Sequence, residues 1–198
     1  MNINSSYNFK MEKFSKEFLL ENYNVRKLQL GETVGSFDCG DTDLNDFIIN
    51  EAHHYRRALL AVTYVMEHRE TGGVVGYFSL ANDRVSITDF KDKTEFNRFR
   101  RHRFVNEKRL RSYPAVKLCR LGVTQDMRGK NVGSTLLDFV KLYFIGENKT
   151  GCRFLTVDAY PDAVPFYEHN DFHPLRNDDE PLDMPTQLLF FDLSDIDE

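Results

Sequence analysis

No apolar run in this 198-residue chain approaches the roughly 20 residues that a membrane-spanning helix requires, which excludes a transmembrane segment. The opening stretch MNINSSYNFKMEKFSKEFLL lacks both the apolar core and the small-residue cleavage site of a secretory leader. The expectation is a soluble, cytoplasmic protein with no membrane contact. Cysteine is scarce as well: Cys39, Cys119 and Cys152 are odd in number and have no close pairing. Neither a disulfide framework nor a zinc site is indicated, and the three are expected as buried thiols. Repeats and low-complexity linkers are absent, so a single domain over residues 1–198 is expected.

What is present is a large supply of core material. The chain is 41% hydrophobic, with 17 Phe and nine Tyr, enough to build one substantial core. Its net charge of −5 conceals a strong asymmetry. Residues 98–111, RFRRHRFVNEKRLR, hold seven Lys or Arg against one acid, whereas residues 177–198 hold eight acids and no Lys or Arg. The acidic stretch reads as a solvated tail.

Periodicity then orders the elements. Residues 24–30 read as a strand, and Leu44, Phe47, Ile48, Ala52 and Tyr55 mark one face of a helix capped by Thr42 or Asp43 and ending near Leu59. VTYVMEH (62–68) and GVVGYFSLA (73–81) read as strands joined by a glycine turn, which makes an antiparallel meander. After the charged segment 83–112, the strand PAVKLCRLGV leads through TQDMRGKNVG into a helix ending near Ile145, and RFLTVDA (153–159) returns as a strand. The strand–helix–strand unit implies a parallel pair within an otherwise antiparallel, mixed α/β sheet. A short helix in DAVPFYEHNDF and a closing strand at 186–193 complete the chain.

The turn between the fourth strand and its helix is the most informative feature. Gly129 and Gly133 permit close approach of backbone to ligand, and the first N–H groups of the following helix have no internal acceptor. Such a turn is a ready site for an anion, with phosphate the natural guest.

The order of antiparallel strands, strand–RGKNVG–helix and strand–AVPFYEHNDF resembles the GNAT superfamily of acetyl-coenzyme-A-dependent N-acetyltransferases, from about Asn24 to Leu193, leaving residues 1–23 as an N-terminal extension. FDCGDTDLNDFI, followed by VTYVMEH and VVGYFSLA, further resembles the branch that includes aminoacyl-tRNA-acetylating toxins. Asn131 and Asp171 stand where the family usually has glycine. Both residue types tolerate left-handed backbone, so both turns are expected to survive. Tyr160 stands where relatives often place a coenzyme-contacting asparagine, and that contact is not carried over.

The resemblance implies a GNAT-like fold with helices on both faces of the sheet, and acetyl-CoA as co-substrate without a metal. Its pyrophosphate would lie on backbone N–H groups of Arg128, Gly129, Lys130, Asn131, Val132, Gly133 and Ser134, with the Arg128 and Lys130 side chains adding charge. Its pantetheine arm would pair with Leu121, Gly122 and Val123 where the fourth and fifth strands splay apart. Tyr167 matches the family's general acid, able to protonate the leaving thiolate. No pair among the six histidines is spaced as a catalytic dyad, and the role of general base is left empty.

Arg98, Arg100, Arg101 and Arg103, with Phe99, Phe104 and Tyr113 interleaved, suit a tRNA acceptor stem and its single-stranded end. The bland alternative is a solvated helix face. The acceptor is accordingly the amino group of an aminoacyl-tRNA, a small amine or a protein amino group. A non-catalytic coenzyme-binding module stays open beside these, and the toxin branch adds an antitoxin partner and a dimer.

Overall fold

The computed structural model describes residues 15–101, 103–104, 110–146, 150–176 and 185–196. Among these residues seven strands form one mixed sheet: β1 (Tyr23–Lys27), β2 (Val62–His68), β3 (Val74–Ser86), β4 (Ser112–Val123), β5 (Phe154–Ala159), β6 (His173–Pro174) and β7 (Gln187–Asp192). Their order is β1-β2-β3-β4-β5-β7-β6. Only β4 and β5 run parallel, joined across α5 (Val132–Gly146); the other neighbours are antiparallel. This is the mixed sheet the strand pattern implies.

One face of the sheet packs on α5 and on α1 (Lys16–Asn22), around Met66, Phe78, Leu118, Leu136, Leu155 and Phe191. The opposite face carries two separate helical covers. The first is α2 (Thr42–Asp46), continued by a π-helical turn (Phe47–Glu51) into α3 (Ala52–Arg57), which buries Phe47 and Ile48 against Val65 and Tyr77. The second is α4 (Lys93–Arg101), which buries Phe96 and Phe99 against Tyr113, Phe154 and Phe190.

Several local expectations are corrected. Asp41, rather than Thr42 or Asp43, caps α2 by accepting from the Leu44 N–H at 3.0 Å. The single helix read over 42–59 contains the π turn and stops at Arg57, with Leu59 already at φ 59°. β3 runs five residues beyond Ala81, because the Asp83 and Arg84 that read as loop lie on a strand paired with Ala115 and Pro114. Cys119 is exposed rather than buried.

Gly122 fixes how closely α2 approaches the sheet. A Cβ there would sit 2.7 Å from Tyr77 Cε1, and the Tyr77 hydroxyl donates to the Leu44 carbonyl of α2 at 2.8 Å. Gly122→Ala is therefore expected to cost about 1–3 kcal/mol in urea unfolding, the usual penalty for overpacking a filled core. An unchanged midpoint would show that Tyr77 can move at no cost. Among the described residues no helix is long and apolar enough to cross a membrane.

Candidate functional site

The site begins where β4 ends. A 3₁₀ turn (Gln125–Met127) follows, then Gly129 at φ 72° and Asn131 at φ 67° turn the chain into α5. Both residues stand in the left-handed region, so Asn131 supplies the conformation for which the family pattern uses glycine. Three amides of the turn have partners: Arg128 N–H on Gln125 O, Lys130 N–H on Met127 O, and Thr135 N–H on Asn131 O. Among the described residues, the N–H groups of Gly129, Val132, Gly133 and Ser134 have no acceptor. With the positive end of the α5 dipole behind them, these donors form an anion cradle.

They line one side of a cleft of about 400 Å³. Leu121, Val123 and Met127 form its back, and Ala163, Phe166, Tyr167 and His169 of α6 (Val164–His169) and its approach close the other side. The spacing is tight: a Cβ on Gly133 would meet the Phe166 ring at 3.1 Å.

The cleft continues along an unpaired strand edge. β4 and β5 pair only over Ala115–Lys117 and Phe154–Thr156. Immediately beyond, the β3–β4 register shifts between Ser79 and Leu80, leaving Cys119 as the extra residue. Bulges bend the strand that carries them. From Leu118 to Val123, β4 is held by β3 on one side and among the described residues has no strand on the other, so alternate peptide groups face the opening. An extended ligand with amides could pair there as a strand would.

Tyr167 stands across this opening. It is 7% exposed, packed edge-on between Phe166 and Phe172, and burial pushes its phenol up to about 12. Its hydroxyl has no hydrogen-bond partner among the described residues. The group is therefore a neutral, proton-bearing donor at physiological pH. His169 is the histidine that lines the cleft among the described residues, and no cluster of His, Cys, Asp or Glu there could hold a metal.

A polar knot behind the cleft explains the motif FDCGDTDLNDFI. Asp38 accepts from Gly40 N–H (2.8 Å) and Asn45 Nδ2 (3.1 Å) with one oxygen and from Gln125 Nε2 (2.8 Å) with the other. These three donors hold the Asp38 carboxyl below the usual carboxylate range. Asn45 in turn accepts from Cys39 N–H, and the Arg128 guanidinium donates to the Cys39 carbonyl. The α2 entry loop is thus tied to the turn after β4. Arg128 lines the cleft, but its side chain is engaged away from it. Asp38, Asn45 and Gln125 had no assigned role at the level of sequence; the acid–amide pattern around one glycine was the available signal.

The basic segment divides into two groups. Arg98 and Arg101 are exposed on α4. Arg100 lies 5.2 Å over the Phe96 ring, and Arg103 lies over Phe99 (4.4 Å) and Phe190 (4.9 Å) with an ion pair to buried Asp192 at 3.4 Å. Phe99 and Tyr113 are core, and Phe104 stacks on Tyr113 at 4.0 Å. The interleaved aromatics are therefore the buried face of the segment rather than a platform for bases. Residue 102 and residues 105–109 lie outside the described residues.

Comparison with known proteins agrees with this geometry. Residues 102–181, from the approach to β4 through α6, match the family model of the acetyltransferase (GNAT) domain. A bacterial toxin of known structure is 18% identical, with TM-score 0.69 over 87% of this chain and 92% of that one. A tyrosine-to-phenylalanine mutant of the toxin AtaT, bound to the C-terminus of the antitoxin AtaR and acetyl-CoA, is 19% identical, with TM-score 0.64 over 88% and 95%. AtaT complexed with acetyl-methionyl-tRNAfMet gives 19%, 0.64, 88% and 96%. At these identities the likeness is one of fold. The family match falls on the part of the chain that carries the glycine turn.

Proposed function

We propose that the protein transfers the acetyl group of acetyl-CoA to the amino group of an aminoacyl-tRNA. The observation that carries the reading is the convergence, in one cleft, of a row of free N–H donors, an unpaired β4 edge and an unpartnered tyrosine hydroxyl. These match in turn the three chemical needs of the coenzyme: an anion site for its pyrophosphate, backbone partners for its amides, and a proton for its sulfur. Acetyl-CoA, when bound, supplies an activated acyl group as a thioester.

In this reading the free N–H groups of Gly129, Val132, Gly133 and Ser134 hold the pyrophosphate, Arg128 braces the turn, and Leu121, Gly122 and Val123 orient the arm. A backbone N–H at the splay polarises the carbonyl. Tyr167 keeps its proton until the sulfur leaves and then delivers it. The acceptor amine of an aminoacyl ester loses its proton readily near neutrality, so no buried base is required.

The aminoacyl-tRNA acceptor, and an antitoxin partner beside it, rest on the likeness to AtaT, which has been solved with an acetylated charged tRNA and with an antitoxin segment. Exposed Arg98 and Arg101 supply cations suited to the RNA backbone. Thiol release from acetyl-CoA should occur with charged tRNA and be absent with uncharged tRNA. Release with free amines and none with charged tRNA would overturn the acceptor.

A paired substitution tests the RNA surface separately. Arg98→Glu with Arg101→Glu should weaken charged-tRNA binding and flatten its salt dependence, because fewer counterions are displaced, while acetyl-CoA affinity is retained. Arg103 is unsuited to this test, since Arg103→Glu would set a second carboxylate against buried Asp192 and unfold the site by a different route. Undiminished RNA affinity in the paired variant would show that α4 is a solvated face.

A further inference from the structure

On the face that carries α2–α3 and α4, the sheet bears charged side chains that the cleft with α5 does not use. Most are satisfied within the protein. Lys117 of β4 pairs with Asp158 of β5 at 2.5 Å, and Asp83 of β3 accepts from the Thr156 hydroxyl at 2.5 Å. Arg120 differs from them. Its guanidinium lies 4.0 Å over the Phe47 ring and 5.7 Å from that of Tyr55, on the face opposite α5. Its Nε is buried without an acceptor, and among the described residues no carboxylate or carbonyl pairs with the group.

A half-buried cation without a partner is a cost that folded proteins normally avoid. Here the aromatic platform holds the planar fork in place before any ligand arrives, which is the arrangement that suits recognition of a phosphate or carboxylate. Phe47 itself opens the π-helical turn, an irregularity that accompanies functional sites in helices. The location is specific too. Arg120 directly precedes Leu121 on the strand whose open edge lines the cleft, so one strand separates the coenzyme side from the Arg120 side.

We propose that Arg120 binds a phosphodiester oxygen of the nucleic-acid acceptor, next to the amine that is acetylated; this rests on the aminoacyl-tRNA reading above. The chemistry of the acceptor selects the phosphate. In an aminoacyl ester the amino acid has no free carboxylate, because its carboxyl is bonded to the ribose. The nearest formal negative charge is then the phosphodiester joining the last two nucleotides. Lys117, neutralised by Asp158, is a poorer anchor for it.

The test uses two minimal acceptors with the intact protein: an aminoacyl-adenosine, which has no phosphate, and the same aminoacyl group on cytidylyl-adenosine, which has one phosphodiester. Charged tRNA serves as the reference for the acceptor class. The wild-type protein should favour the dinucleotide by about 10- to 100-fold in KM, the range of a charge-assisted contact. Arg120→Gln should bring the ratio of the two acceptors close to one, and Arg120→Lys should restore part of it. Melting with and without acetyl-CoA verifies that each variant is folded. A dinucleotide preference that survives Arg120→Gln, or no preference in the wild type while charged tRNA is acetylated, would overturn the assignment alone. If the folded wild type acetylates neither charged tRNA nor these acceptors, the aminoacyl-tRNA reading falls and takes the assignment with it.

Discussion

Tyr167→Phe should slow single-turnover acetyl transfer by about 10²- to 10⁴-fold, the range for loss of a general acid. The substitution keeps the ring that packs between Phe166 and Phe172 and removes only the hydroxyl, which has no partner among the described residues. Folding should therefore be nearly untouched, and so should the coenzyme-induced rise in melting temperature, because the anion cradle is built from backbone amides on the other side of the cleft. Burial pushes the phenol up to about 12, so its ionisation should cost no rate near neutral pH. Pre-binding acetyl-CoA separates chemistry from binding and release. A drop smaller than roughly threefold, far short of the general-acid range, would return Tyr167 to a packing role.

Saturating acetyl-CoA should stabilise the fold by about 2.7 kcal/mol at ~100 times its dissociation constant, since it binds the native state alone. Gly133→Val should abolish most of that gain. The physical reason lies in the direction of the missing side chain. A Cβ at this position points at the Phe166 ring, 3.1 Å away, so the bulk of valine would drive the ring into the cleft. A carboxylate added there would strike the ring before it reached the N–H row, so steric closure is the effect to test. A Gly133→Val protein that keeps the full melting shift would move the coenzyme out of this cleft.

The frame of the fold was legible because its strands carry strong period-two or continuous apolar patterns: 62–68 and the core of 73–81 appear where the alternation places them. The left-handed turns at Asn131 and Asp171 were legible for a different reason, the short polar side chain, and both have φ near 65°. What stayed hidden involves side chains meeting across the sequence. The aromatic spacing in 98–113 is compatible with a base-stacking face or a core face, and only the positions of Phe154 and Phe190, far along the chain, make it core. The splay of β4 from β5 depends on a bulge at Cys119, a backbone event with no side-chain signature. The link from Asp38 to Gln125 spans 87 positions, beyond the reach of any local pattern.

The central claim is that the coenzyme lies in the opening between β4 and α6, and the most direct test is an amide NMR titration of ¹⁵N-labelled protein with acetyl-CoA. The amides of Gly129, Val132, Gly133 and Ser134 should shift together and saturate at one equivalent, along with those of Leu121 to Val123. The structure holds a larger groove, about 850 Å³, between α1 and α5, lined by Leu20, Phe139 and Leu142. Shifts confined to that groove, with the four amides of the turn unmoved at saturation, would contradict the account.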